Sequence, residues 1–231
     1  CGGIKHKTQK FNKNVVEVTS SMLLFAVIGL CIPAVFTHTF PSELLNTKYE
    51  NLNLAVSIIM FILYILSLIF SFFTHKELYA VKYEEEEEEA KWSLKKAIII
   101  LIIATIFIAI ESELLVDGVE GITSRLGLSE IFVGIIVIPI IGNAAEHTTA
   151  IAMALKNKMD VAIEIAIGSS LQIILFVAPI LVFLSLLFTP MTIIFNQFEL
   201  IALIVTVLIA NKVAADGESN WLEGSQLVAV Y

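Results

Sequence analysis

Residues 134–147 read Gly134-Ile135-Ile136-Val137-Ile138-Pro139-Ile140-Ile141-Gly142-Asn143-Ala144-Ala145-Glu146-His147. The first part is almost wholly aliphatic, yet it runs into a proline, a glycine and then a carboxylate. Proline removes one backbone donor and its ring clashes with the carbonyl four residues back, while Gly142 permits close approach or unwinding. The pair predicts a helix that kinks or breaks inside an apolar run, freeing backbone carbonyls to act as ligands. Asn143, Glu146 and His147 follow at i, i+3 and i+4, on one helical face. Ala144 and Ala145 keep the neighbouring faces small.

This stretch lies in a chain made for lipid. Apolar residues make up 58% of its 231 positions and the mean hydropathy is +0.89, against about 45–50% apolar usage in soluble domains. A spanning helix needs about 20 mainly apolar residues. Six such runs occur, over 15–36, 53–73, 95–116, 130–155, 161–188 and 192–211, and a seventh begins near Trp221. The expected fold is all-α, a polytopic transmembrane helical bundle. Cys1 and Cys31 cannot form a disulfide framework. The expected partner is the lipid bilayer, with no nucleic acid.

Lys and Arg translocate poorly, so short loops rich in them stay in the cytoplasm. With these spans, Lys5, Lys7, Lys10, Lys13, Lys76, Lys82, Lys91, Lys95, Lys96, Lys156, Lys158 and Lys212 fall on one side, and Lys48 and Arg125 on the other. The amino end is therefore expected in the cytoplasm. The net charge of −8 is mostly one local block, Glu84, Glu85, Glu86, Glu87, Glu88 and Glu89, which this topology also puts in the cytoplasm. That run reads either as a solvated linker or as a regulatory segment that concentrates or senses Ca²⁺.

Carboxylates inside a bilayer cost several kcal/mol, which makes them candidates for function. Three stand out: Glu111, Glu113 and Glu146. The fifth run carries Gly168-Ser169-Ser170-Leu171-Gln172, with Ser169 and Gln172 on a shared face. Counted from Lys156 and Asp160, Glu146 is 10 residues in, Ser169 is 9, Asn143 is 13 and Gln172 is 12. Antiparallel neighbours would level Glu146 with Ser169, and Asn143 with Gln172, roughly 13–20 Å into a core about 30 Å thick. One carboxylate, two amides and a hydroxyl form a hard, all-oxygen set suited to Ca²⁺. Proton and Ca²⁺ can compete for such a carboxylate. His147 is a poor calcium ligand and reads as a tuning or proton-relay group. A plainer reading keeps Asn143, Ser169 and Gln172 as interhelical hydrogen-bonding glue.

Glu111 and Glu113 lie about 22–25 Å from the cytoplasmic side, counted from Lys96. Two residues apart on a helix is about 200°, so they cannot enter one pocket. One reads as a gate or proton site, the other as interfacial. Asp117 and Glu120 read as a solvated turn before Arg125.

Gly142-Asn143-Ala144-Ala145-Glu146-His147, then Lys156-Asn157-Lys158-Met159-Asp160, then Gly168-Ser169-Ser170-Leu171-Gln172, resemble the second repeat of calcium/proton antiporters. Asp216-Gly217-Glu218-Ser219-Asn220-Trp221-Leu222-Glu223-Gly224 looks like that family's approach to its last span. The plainer reading there is a capped helix start, with Asn220 as cap and Glu223 at N3. Gly2-Gly3, the basic stretch and Phe11-Asn12 resemble a cytoplasmic segment of the same family.

The resemblance implies the second half of an inverted-repeat exchanger fold, in which each half supplies one Asn and one Glu to the cation site. It assigns residues 1–83 to two helices ending the first half, 84–94 to a cytoplasmic acidic linker, and 95–231 to a truncated second repeat. It casts Asn143 and Glu146 as Ca²⁺ ligands, Ser169 and Gln172 as completing the site, and Glu113 as the acidic position of a gating helix. No second Gly-Asn-x-x-Glu occurs in the sequence. A fragment is therefore expected, lacking an N-terminal repeat before Cys1.

The implied activity is secondary active export of Ca²⁺ from the cytoplasm against H⁺ by alternating access, with transported Ca²⁺ and H⁺, no cofactor and no enzymatic reaction. A homo-oligomer stays open. The wording around the site favours a bacterial plasma membrane over a vacuolar one. The rivals are a Na⁺-driven cation exchanger and a calcium-sensing or structural membrane protein. An intramembrane metalloprotease is disfavoured by the lack of His-Glu-x-x-His.

Overall fold

In the computed structural model, residues 1–39, 45–79, 92–193 and 195–231 are described. The run Glu84 to Glu89, and with it most of the linker expected over 84–94, lies outside them.

The apolar runs become helices: α1 (Lys13–Thr39), α2 (Leu45–Ile69), the short α3 (Lys76–Tyr79), α4 (Leu94–Leu126), α5 (Glu130–Phe132), α6 (Ile138–Gly142), α7 (Ala144–Leu155), α8 (Met159–Gln172), α9 (Ala178–Ser185), α10 (Gln197–Ala214) and α11 (Trp221–Val230). Single π turns follow α2 at Phe70–Thr74, join α5 to α6 at Val133–Val137, and join α8 to α9 at Ile173–Val177. Five helices among the described residues are long and apolar enough to cross a membrane, and the bent pair Val133–Gly142 and Ala144–Leu155 makes a sixth.

Two helix boundaries depart from the hydropathy reading, each for a local reason. Helix α4 does not stop where hydropathy falls, near 116. It continues through Asp117 and Glu120, both helical rather than in a turn, until Gly127 takes a left-handed conformation at φ 64°. Helix α10 begins at 197 instead of 192 because Asn196 and Glu199 form a reciprocal capping box, with bonds of 2.9 and 2.8 Å. The fold is helical, as expected, with one small addition just ahead of the first helix and the last. Thr8–Lys10 (β1) and Glu218–Asn220 (β2) pair antiparallel, in the register Thr8 with Asn220 and Lys10 with Glu218.

The chain divides into two compact units, residues 1–81 with 146–231, and residues 82–145. In the first, α1 packs against α2, α8 and α10. Ala26, Val27, Met60, Leu175 and Val207 form the centre of that packing. Outward-facing Phe25, Ile59, Phe73 and Ile201 are all more than half exposed. Lipid tails are as apolar as these side chains, so the close fit around Val27 and Leu175 holds the helices together through dispersion contacts.

One end of this unit is fastened by the strand pair. Gln9 is buried, 3% exposed, and its Nε2 donates to Ala154 O at 2.7 Å and to Asn157 Oδ1 at 3.1 Å. Both acceptors lie at the turn from α7 to α8. Asn157 carries a positive φ of 61°, a conformation asparagine tolerates better than most residues. At β2 the chain enters α11 through a second capping box, Asn220 with Glu223, as its sequence predicts.

The second unit contains α4, α5 and α6. Within its most apolar stretch α4 buries no residue inside the structure. A helix that is apolar all round needs an apolar solvent.

Candidate cation site

The broken helix of the opening stretch sets the site. Helix α6 ends at Gly142. Asn143 leaves the helical region at φ −98° and ψ 14°, with its N–H still bonded to Pro139 O at 3.0 Å, and α7 starts at Ala144. Proline does not itself mark the break. Pro139 lies two residues beyond the π turn 133–137, as Pro179 lies two residues beyond the π turn 173–177. The missing proline N–H removes one i→i−4 bond, and a wider i→i−5 turn accommodates the loss.

Glu146 stands in the first turn of α7, where the free N–H groups of a helix start favour negative charge. Across from it on α8, Ser169 Oγ donates to Glu146 Oε1 at 3.1 Å. The adjacent serine behaves differently: Ser170 Oγ returns its proton to Ala166 O at 2.9 Å. Of the two hydroxyls in the Gly-Ser-Ser stretch, only Ser169 reaches the carboxylate.

The structure thus brings Glu146 and Ser169 together. Gln172 ends α8, is exposed, and makes no hydrogen bond to either of them. Asn143 is half-exposed and His147 exposed. Glu111 and Glu113 are exposed on α4. Among the described residues no group of three His, Cys, Asp or Glu stands close enough to hold a metal ion. The local donors are therefore one carboxylate and a hydroxyl, a hard pair that needs further oxygens to complete a Ca²⁺ shell of six to eight ligands.

Two residues that matter to this arrangement escape the sequence reading. Gln9 has no motif, and only its long-range bonds reveal it. Glu164, inside the span Met159–Ser185, is not among the three carboxylates the pattern singles out. Its spacing from Met159 is the signal that could have found it.

Residues 96–231 match the sodium/calcium exchanger protein family. The chain is 45% identical over its whole length to the Ca(2+)/H(+) antiporter ChaA of Bacillus subtilis, covering 66% of that protein. It is 43% identical to the Ca(2+)/H(+) antiporter of Aphanothece halophytica, covering 100% of this chain and 65% of that one. It is 37% identical over 99% of its length to the vacuolar calcium ion transporter of Schizosaccharomyces pombe, covering 57% of that chain. The solved structure of native YfkE superposes with a TM-score of 0.79 at 40% identity, covering 100% of this chain and 65% of that one. The chain thus spans about two thirds of the length of the first curated relatives it matches.

Its helices and this site define a multi-pass integral membrane protein with a helical transporter fold. The chain belongs to the sodium/calcium exchanger protein family.

Proposed function

We propose that this chain supplies the second repeat and part of the first of a secondary transporter that exports Ca²⁺ from the cytoplasm in exchange for H⁺. The observation that carries the reading is the hydrogen bond between Ser169 and Glu146, which sets an intramembrane carboxylate at a helix break against a second polar helix. The names of the antiporter relatives support the choice of ions. Residues 1–83, 84–94 and 95–231 are the proposed divisions, and the family match over 96–231 supports the last.

In this reading Glu146 alternates between a proton and Ca²⁺. A carboxylate that holds a proton has given up the charge that binds the cation, so occupancy by one ion excludes the other. That exclusion is the minimum needed for exchange. Asn143, Ser169 and Gln172 supply neutral oxygens, His147, Glu111 and Glu113 serve proton coupling or gating, and the break at Pro139 and Gly142 frees backbone carbonyls. A partner repeat of the same protein contributes the complementary Asn and Glu. Access alternates as gating helices slide past the core. The run Glu84 to Glu89 regulates from the cytoplasm, and the membrane is the bacterial plasma membrane.

The test is ⁴⁵Ca²⁺ uptake into everted vesicles holding the full-length protein. A pH gradient is expected to drive uptake, and Glu146→Gln to abolish it. Unchanged transport in this variant would remove Glu146 from the site. Uptake that follows a Na⁺ gradient and ignores pH would replace H⁺ by Na⁺ as the driving ion.

A further inference from the structure

Helix α8 carries a second carboxylate, and it points elsewhere. Glu164 and Ser169 are five residues apart, which is about 140° of rotation at 3.6 residues per turn. Ser169 turns toward α7, whereas Glu164 lines a cavity of about 250 Å³ together with Thr19 of α1, Tyr64 and Ser67 of α2, Ser71 of the following π turn, and Tyr79 of α3. All these residues belong to one compact unit. Helix α3 is held over the cavity by Asn12, whose Nδ2 donates to Leu78 O at 2.9 Å.

The chemistry of this cavity is one-sided. Glu164 is half-buried and makes neither a hydrogen bond nor an ion pair among the described residues. Among the described residues no Lys, Arg or His lines the space. The charge that acts on Glu164 is that of Asp160, of the same sign, one turn earlier on α8. The other polar side chains lining it are hydroxyls and phenols from α1, α2, the π turn Phe70–Thr74 and α3. A carboxylate withdrawn from bulk water with no cationic neighbour is costly unless something neutralises it. A cavity of about 250 Å³ has room for several waters, enough to keep a cation partly hydrated. A carboxylate, several neutral oxygens and retained water are the ligands a hard cation takes.

We propose that the Glu164 cavity is a second cation site, separate from the Glu146–Ser169 pair, which takes a partly hydrated hard cation of the Ca²⁺ type. Glu164 supplies the charge, and the hydroxyls of Thr19, Ser67 and Ser71 supply neutral oxygens. Tyr64 and Tyr79 bring phenol rings close enough to report on an ion bound there. The inference does not rest on transport through Glu146, because Glu164 and Ser169, the partner of Glu146, lie on different faces of α8.

Tyrosine-sensitised Tb³⁺ luminescence tests it, with Tb³⁺ as the Ca²⁺ probe and purified full-length protein. In the Glu146→Gln background, excitation of tyrosine is expected to give Tb³⁺ emission that added Ca²⁺ displaces. Adding Glu164→Gln is expected to weaken Tb³⁺ binding by about tenfold or more, the value of a lost charged ligand. Glu164→Asp keeps the charge and retains binding. If Glu164→Gln does not purify as a monodisperse protein, Tyr64→Phe and Tyr79→Phe decide, since each replaces the excited phenol beside the ion by a ring that does not absorb at the tyrosine excitation wavelength and so lowers the emission. The proposal is overturned if Glu146→Gln alone abolishes all Tb³⁺ binding. It is equally overturned if emission is undiminished in Glu164→Gln, or in the two phenylalanine variants together. The first outcome leaves the role of Glu146 standing, so the two readings fail separately.

Discussion

Ser169 Oγ and Glu146 Oε1 are joined at 3.1 Å across α7 and α8, whereas the neighbouring Ser170 spends its hydroxyl on Ala166 O. The two serines are adjacent in sequence and differ by about 100° in direction, so they form an internal control. A hydrogen bond to a charged partner contributes about 1.5–3 kcal/mol. In full-length protein, Ser169→Ala is expected to raise the KM for Ca²⁺ by roughly tenfold or more, while Ser169→Thr keeps the hydroxyl and most of the affinity. Ser170→Ala should leave KM within about twofold, because its bond only duplicates a satisfied backbone carbonyl. Initial rates of ⁴⁵Ca²⁺ uptake check all three, and equal effects at the two serines would remove Ser169 from the site.

The buried amide of Gln9 links the amino-terminal strand to the α7–α8 turn through Ala154 O and Asn157 Oδ1. Gln9→Leu fills the same volume but leaves Ala154 O with the Asn157 N–H alone, at 3.1 Å, and takes from Asn157 Oδ1 the Gln9 donor. The expected cost is about 1–3 kcal/mol, a fall of roughly 2–10 °C in the melting temperature. Thermal unfolding of the purified protein measures it. A melting temperature within a degree of the parent would show that water satisfies the turn equally well.

At the same turn, Asn157 answers two demands, a left-handed backbone and an acceptor for Gln9. Asn157→Gly meets only the first and Asn157→Ala meets neither. The expected order of melting temperatures is parent, then glycine, then alanine, with the last two separated by about 1 kcal/mol of backbone strain. Reversal of the two variants would mean that the left-handed backbone at 157 imposes no demand, and a glycine variant as stable as the parent that the side-chain bond contributes nothing.

The sequence made the helices and the break at Asn143 readable because both leave chemical marks over many residues. An apolar run of 20 or more residues has few alternatives, and a Pro-Ile-Ile-Gly stretch inside one disturbs the backbone hydrogen bonding wherever it is placed. The pairing of Glu146 with Ser169 was readable by depth counting, since antiparallel helices joined by a short turn stay level. Strands β1 and β2 were not, because three residues are too few for an alternation to show and their pairing joins positions more than 200 residues apart. The lower end of α4 was missed for another reason. Hydropathy reports the solvent around a helix and not its hydrogen bonds, which continue through Asp117 and Glu120 to Gly127. Glu164 escaped because its significance lies in what surrounds it, a cavity assembled from α1, α2 and α3 that no local window contains.

One side chain from α2 helps to hold the chain between α9 and α10, beside the bond from Met191 N–H to Ser185 Oγ at 2.8 Å. Asn53, 3% exposed, donates from Nδ2 to Met191 O at 3.2 Å and accepts at Oδ1 from Ile193 N at 3.4 Å. Its position is itself fixed, because Ser57 Oγ, in the next turn of α2, donates to Asn53 O at 2.8 Å. The two amide bonds hold an extended stretch that the capping box at Asn196 then turns into α10. Asn53→Leu is of similar size but removes both bonds and leaves a carbonyl and an N–H to find water, at a cost of about 1–3 kcal/mol. Asn53→Asp keeps the acceptor for Ile193 N–H, loses the donor to Met191 O, and adds a charge in a buried place, so it is expected to be the worse of the two. Amide hydrogen exchange at Ile193 separates the effects: it should quicken in Asn53→Leu and stay closer to the parent in Asn53→Asp even as overall stability falls. If Ile193 exchanges at the parent rate in Asn53→Leu, the segment is held by the packing of Ile193 and Phe195 against the core and not by the amide.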